Sequence, residues 1–364
     1  MQVVEVCETK HRNLSDEMVE EKIKDIKTRQ GKVNNIRLCE THGSKDFQIE
    51  FSGEIDDAIQ RKIKIFRYSL FKDTKSFEHF TTLKMPTKKY ETFFDDLVMD
   101  NSALMKSLEH FYKVLHYQAT KVDVSYFNIT KAILVYGPPG TGKSTLSRAV
   151  FQRLSIRMSK DTYLVELNAS KIFTRYYGDT TGALSKILNG LEELSKTTTI
   201  FVAIDEIETL FMDRSVILEN NEPLEGIRVV NTLLLFMDTL KYNKNMFVIF
   251  TSNFYSHLDP AFVDRCDISL MTSLPNEKTS YSILSRIFKK MMDKNLLEYE
   301  DIPDYEDVPN TSIIKAYLSI KNQSPRKIKK IVFHNMPLRK TTVDFLCSRI
   351  AKFKNSESQK DKKL

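Results

Sequence analysis

Residues 132–136, Ala-Ile-Leu-Val-Tyr, run without a break into Gly137-Pro138-Pro139-Gly140-Thr141-Gly142-Lys143-Ser144, with Thr145 next. An apolar strand that turns on glycines into a Lys-Ser pair has few ways to fold. The glycines let the backbone turn tightly and aim its N–H groups at phosphate oxygens, and the helix that follows presents its positive end to the same place. In such a loop Lys143 meets the β and γ phosphates and the Ser144 hydroxyl holds magnesium. Gly137 through Thr145 are therefore the expected nucleotide-binding residues, with ATP and Mg2+ as the cofactors.

A second apolar run, Ile200-Phe201-Val202-Ala203-Ile204, ends in Asp205-Glu206, sixty-two residues beyond Lys143. There Asp205 can share the magnesium ion with Ser144, while Glu206 polarises a water for in-line attack on the γ-phosphate. The run Met246–Phe250 leads into Thr251-Ser252-Asn253, which puts the Asn253 amide at the same edge, where it can orient the water or touch the γ-phosphate. Arg265 and Arg326 each start or end a predicted helix, and a guanidinium can neutralise charge on the transferring phosphoryl group. Sequence alone leaves open which arginine acts in cis and which in trans. Glu208 reads equally well as an interface acid or a solvated carboxylate.

Strand and helix patterns alternate from 132 to 271, with near-continuous apolar strands, which predicts a parallel five-stranded α/β sheet covered on both faces. Apolar stripes at Tyr90, Phe93, Phe94 and Leu97, then at Leu104, Leu108, Phe111 and Leu115, predict helices leading into it. The expected organisation is a small α+β domain over 1–84, the ATPase subdomain over 85–273, a helical lid over 274–352 and a disordered basic tail over 353–364. Four scattered cysteines form neither a disulfide scaffold nor a zinc set, and no apolar run approaches eighteen residues. Neither secretion nor membrane spanning is expected. A net charge of +7 is too diffuse for a nucleic-acid footprint, so direct nucleic-acid contact is not expected.

These motifs in this order, with a lid after the sheet, resemble the AAA+ module of P-loop NTPases. Within it, Ala261-Phe262-Val263-Asp264-Arg265 with Asp267, the run from Pro223 to Asp238, and Phe93-Phe94-Asp95-Asp96-Leu97 resemble the pachytene checkpoint protein 2 family, also called thyroid receptor-interacting protein 13. The resemblance implies a homohexameric ATPase that remodels HORMA-domain proteins of the meiotic chromosome axis or the spindle checkpoint, with an amino-terminal domain that captures the client, often through a HORMA-type adaptor. It implies a nuclear, chromosomal location, with the cytoplasm as a second. By position Arg265 resembles the trans-acting finger and Arg326 the lid sensor. Arg175-Tyr176-Tyr177-Gly178 resembles the central pore loop that grips a threaded chain. The family usually has tryptophan where Tyr176 stands, and this protein contains none. Two other readings of the motifs remain: a DNA-handling ATPase of the clamp-loader or initiator type, and a nucleotide-gated scaffold.

Overall fold

The computed structural model describes residues 2–7, 35–40, 47–52, 63–77, 80–99, 101–120, 124–158, 160–170, 172, 180–210, 224–302, 305 and 323–360. Strands β1 (Gln2–Cys7), β2 (Asn35–Glu40), β3 (Phe47–Ser52) and β4 (Ile63–Tyr68) form an amino-terminal sheet in the order β3-β2-β1-β4. β1 is parallel to β2 and β4, and β2 is antiparallel to β3. The period-two alternations at Phe47, Ile49 and Phe51 and at Ile63 and Ile65 fall in β3 and β4. The helix expected around Val19, Ile23 and Ile26 lies outside the described residues.

The second sheet has seven strands, β5 (Thr74–Ser76), β6 (Thr81–Met85), β7 (Ala132–Tyr136), β8 (Thr162–Asn168), β9 (Thr199–Asp205), β10 (Met246–Ser252) and β11 (Ile268–Met271), in the order β11-β7-β10-β9-β8-β6-β5. The five strands from β11 to β8 are all parallel, as the alternating pattern predicts. β6 joins β8 antiparallel and carries β5 beyond it. Residues 74–84, assigned by sequence to the amino-terminal domain, thus belong to the ATPase sheet. Their short polar strands sit at the sheet's outer edge, where one exposed face masks the partnership.

Successive residues of each central strand feed opposite cores, as pleating requires. Ile200, Val202 and Ile204 of β9 join Val248 and Phe250 on one face, under α3 (Thr180–Ser195), α4 (Leu224–Leu240) and Phe262 of the short α5 (Pro260–Arg265). Phe201 and Phe247 point to the other face, against α1 (Asn101–Ala119) and α2 (Lys143–Arg157). There Phe151 stacks on Phe201 with centroids 4.9 Å apart, and Phe111 meets Phe247 edge-on at 5.5 Å.

The lid comprises α6 (Glu277–Asp293), α7 (Pro325–Asn335) and α8 (Val343–Lys360), which close on their own core of Tyr281, Leu284, Phe288, Ile328, Val332 and Leu346. α8 runs to Lys360, so helix occupies most of the segment expected to be a disordered tail. A helix anchored through buried Leu346, Cys347 and Ile350 propagates at little cost into good helix formers such as lysine, glutamate and glutamine. Among the described residues no helix is long and apolar enough to cross a membrane.

Candidate nucleotide site

The parallel strands end around one cavity of about 490 Å³, lined by residues from the loop after β7, the ends of β8, β9 and β10, and the lid. Pro139 through Thr145, Asp205, Glu206, Asn253 and Arg326 all face it. Gly142 caps α2 in the left-handed conformation, at φ 102°, a position a side chain rarely tolerates. Gly140, at φ 80°, is also needed for space. A Cβ there would stand 2.9 Å from Ser324 Oγ and 3.2 Å from Arg326 Cβ.

Lys143 is buried, and its ammonium donates to the carbonyls of Gly137 at 2.7 Å and Pro138 at 2.9 Å and to Asn253 Oδ1 at 2.8 Å. Burial holds this ammonium below the usual lysine range; Glu208 and Asp205 oppose the shift, and the Arg326 charge adds to it. Asn253 turns its other face to Glu208, whose Oε1 accepts from both the Asn253 backbone N–H at 3.2 Å and Nδ2 at 3.1 Å. Sequence left Glu208 as either an interface acid or a solvated carboxylate; the structure places it behind Asn253.

Asp205 accepts from Thr251 Oγ1 at 2.7 Å on one oxygen. Glu206 has left-handed backbone, φ 61°, which costs a non-glycine residue about 1–2 kcal/mol. Its Oε2 is held by Asn168 Nδ2 at 3.0 Å and Ser170 Oγ at 2.8 Å, two residues that sequence reasoning missed. Asn168 ends β8 and Ser170 lies just beyond it, and only the pairing of Asn168 with Asp205 across β8 and β9 brings them to Glu206.

This donor set fits magnesium and a triphosphate. Ser144 and Asp205 offer hard oxygens on one wall of the cavity, and the loop offers N–H groups and Lys143. Among the described residues no three His, Cys, Asp or Glu side chains could hold a metal by themselves, so phosphate oxygens and water would complete the six positions.

Arg326 sits on its own chain's loop, with its backbone N–H 3.4 Å from Gly140 O. Arg265 does not reach this cavity. β11 runs parallel to β7, pairing Ile268 with Ile133 and Met271 with Tyr136, so Arg265 lies before the start of β11 while the loop lies past the end of β7. Its guanidinium is tied to Asp238, Nε to Oδ1 and NH2 to Oδ2, both at 3.2 Å. Behind it, Asp267 accepts from Thr130 N at 2.7 Å and Thr130 Oγ1 at 2.8 Å and meets His110 Nε2 at 2.8 Å. Arg175, Tyr176, Tyr177 and Gly178 lie outside the described residues. A second cavity, about 460 Å³, opens between α1 and α2 among aromatic and basic side chains such as Tyr112 and Arg157, and none of the residues assigned to catalysis lines it.

Residues 133–274 match the model of the ATPase family associated with various cellular activities. The chain is 31% identical over 240 residues to the pachytene checkpoint protein 2 homolog of Arabidopsis thaliana, covering 65% of this chain and 51% of that protein. It is 30% identical over 219 residues to the Danio rerio homolog, covering 58% and 51%. The chain thus spans about half the length of these relatives. Its fold superposes on the Caenorhabditis elegans PCH-2 structure with a TM-score of 0.78 at 21% identity, covering 98% of both chains. A Trip13-containing HORMA complex from Escherichia coli gives a TM-score of 0.57 at 17% identity, covering 74% of this chain and 94% of that one. With the P-loop, the Asp205-Glu206 pair, Asn253 and the lid arginine set around one cavity, the chain has an AAA ATPase module over residues 133–274 and is similar to the pachytene checkpoint protein 2 homologs.

Proposed function

We propose that the protein hydrolyses ATP and uses the energy to remodel HORMA-domain proteins. The observation that carries the catalytic part is the convergence of Lys143, Ser144, Asp205, Glu206, Asn253 and Arg326 on a single cavity at the carboxyl ends of the sheet. The client class rests on the family and on the HORMA protein named in the E. coli complex.

In this reading the N–H groups of the 137–145 loop and the amino terminus of α2 cradle the phosphates. Lys143 exchanges its loop carbonyls for phosphate oxygens. Ser144 and Asp205 would hold magnesium, which would supply charge neutralisation for the phosphates. Glu206 accepts a proton from the attacking water, held at its post by Asn168 and Ser170 until the water is in line. Arg326 adds positive charge from the lid. Arg265, remote from its own cavity, serves a neighbouring subunit in a closed ring, which we take to be a homohexamer. The amino-terminal sheet and a HORMA-type adaptor present the client, Tyr176 and Tyr177 grip it in the pore, and the work takes place in the nucleus at chromosomes.

Glu206→Gln tests the proposal. The variant keeps its nucleotide affinity and loses turnover by about a hundredfold or more, the scale of a lost general base. Held in ATP, it retains HORMA-domain proteins that the wild type releases. Wild-type turnover in the variant would remove Glu206 from the reaction, and a variant that traps no HORMA protein would remove the client class.

A further inference from the structure

Arg148 stands four residues after Ser144 on α2, so the two side chains share one helix face a turn apart. Its guanidinium is ion-paired through Nε to Glu166 of β8, and NH2 lies 3.5 Å from Asp205 Oδ2. Glu166 is itself held from the other side. Tyr90 Oη donates to Glu166 Oε2 at 2.6 Å, and Lys89 Nζ lies 3.4 Å from the same oxygen. Tyr90 is only 2% exposed, with its ring packed 4.8 Å from Phe93. One guanidinium therefore sits between two carboxylates, closely bound to Glu166 and at the edge of reach for Asp205.

A cation that fully engaged Asp205 would compete with magnesium for the same oxygen. Thr251 already takes a lone pair on Oδ1, so Oδ2 is where the competition would fall. Glu166 restrains Arg148 from it. Removing the Glu166 charge leaves a half-buried guanidinium with Asp205 as the acid at hand, and a partly desolvated charge deprived of its partner seeks another.

We infer that Arg148 is a positioning residue for Asp205, and that Glu166, anchored by Tyr90, sets how readily Asp205 engages magnesium. The magnesium requirement of nucleotide binding is thereby tuned from the segment at residues 89–90, which lies between β6 and the helices leading to the P-loop. This rests on the pocket being a magnesium–nucleotide site, as proposed above.

The test is binding of a fluorescent ATP analogue to the whole chain, titrated with Mg2+ and repeated in EDTA. Glu166→Gln keeps the shape and removes the charge. It raises the Mg2+ midpoint by about tenfold, the scale of one close charge interaction, and leaves binding in EDTA unchanged. Adding Arg148→Met to that variant brings the midpoint back to within about threefold of wild type, because the competing cation is gone. Tyr90→Phe, which keeps the buried ring, moves the midpoint in the same direction by about two- to threefold, the scale of one hydrogen bond, and carries the test should Glu166→Gln fail to fold. A Glu166→Gln midpoint equal to wild type, or a shift that persists in the double variant, overturns the inference alone. Wild-type binding indifferent to Mg2+ overturns the pocket reading and this inference with it.

Discussion

At Asn253 one amide faces two ways, accepting from Lys143 through Oδ1 and donating to Glu208 through Nδ2. Glu208 Oε2 is buried and has no hydrogen-bond partner among the described residues, so the hydrogen bonds that hold Asn253 come through Oε1. Glu208→Ala is expected to lower kcat about tenfold while nucleotide affinity stays within about threefold, since it loosens a group needed in the reaction rather than one that grips the phosphates. An unchanged kcat in steady-state kinetics would show that Asn253 needs no such support. Lys131 provides a different residue-scale test. It is fully buried with Nζ 3.4 Å from Lys241 O, and burial, opposed by Asp267, lowers its pKa to about 8. Below that pH both folded and unfolded chains carry the charge, and the folded state bears the burial cost. Between about 8 and the ordinary 10.5 the folded lysine is neutral while the unfolded one is still protonated, so stability rises with pH. Relative to Lys131→Met, wild type should gain up to about 3 kcal/mol across that window in chemical denaturation. A difference that does not change with pH would refute the shift. The P-loop was legible because its residues are contiguous and one backbone turn dictates all of them. Asn168, Ser170, Glu208, Arg148 and Glu166 were not, because they come from separate elements and meet only once β8, β9 and β10 are aligned.

Among the elements, α7 couples lid to phosphate loop. Ser324 caps it by accepting from Lys327 N at 3.3 Å, Pro325 opens its first turn, and the same serine lies over Gly140. Gly140→Ala would strain a left-handed backbone and push into Ser324 and Arg326. We expect it to weaken ATP-analogue binding by about tenfold or more with little change in far-UV circular dichroism, since the fault is local to one contact. Binding equal to wild type would mean that the lid yields freely at this point. The central strands were readable as elements because each is an apolar run ending in a polar functional residue. Strands β5 and β6 were not assigned to the right sheet, since pairing between Met85 and Thr162 is a long-range choice that local pattern does not encode. The end of α8 was misjudged for a related reason: composition reports solvation, whereas the helix is nucleated by core contacts further back.

For the whole molecule, the position of Arg265 makes one chain's site dependent on another in the proposed ring. Arg265→Ala and Glu206→Gln subunits should each be inactive alone. In a one-to-one random mixture about a quarter of the interfaces pair an intact pocket with an intact arginine, so turnover should return to about that fraction of wild type. Verified mixed rings with no recovery would exclude this geometry. If Tyr176 grips a client as proposed, Tyr176→Ala should leave basal ATP hydrolysis within about twofold and stop client remodelling, because a smaller side chain grips less surface; a normal remodelling assay would refute that role. β11 ties these scales together. Three residues after Arg265 it begins, and it ends at Met271, next to Thr272, whose hydroxyl meets Thr141 Oγ1 at 2.9 Å and whose carbonyl lies 2.1 Å from where a Gly137 Cβ would be. Four residues of strand span about 13 Å and resist stretching. Arginine and phosphate loop are thus opposite tips of one stiff strut, and a tug at either tip is felt at the other with almost no slack.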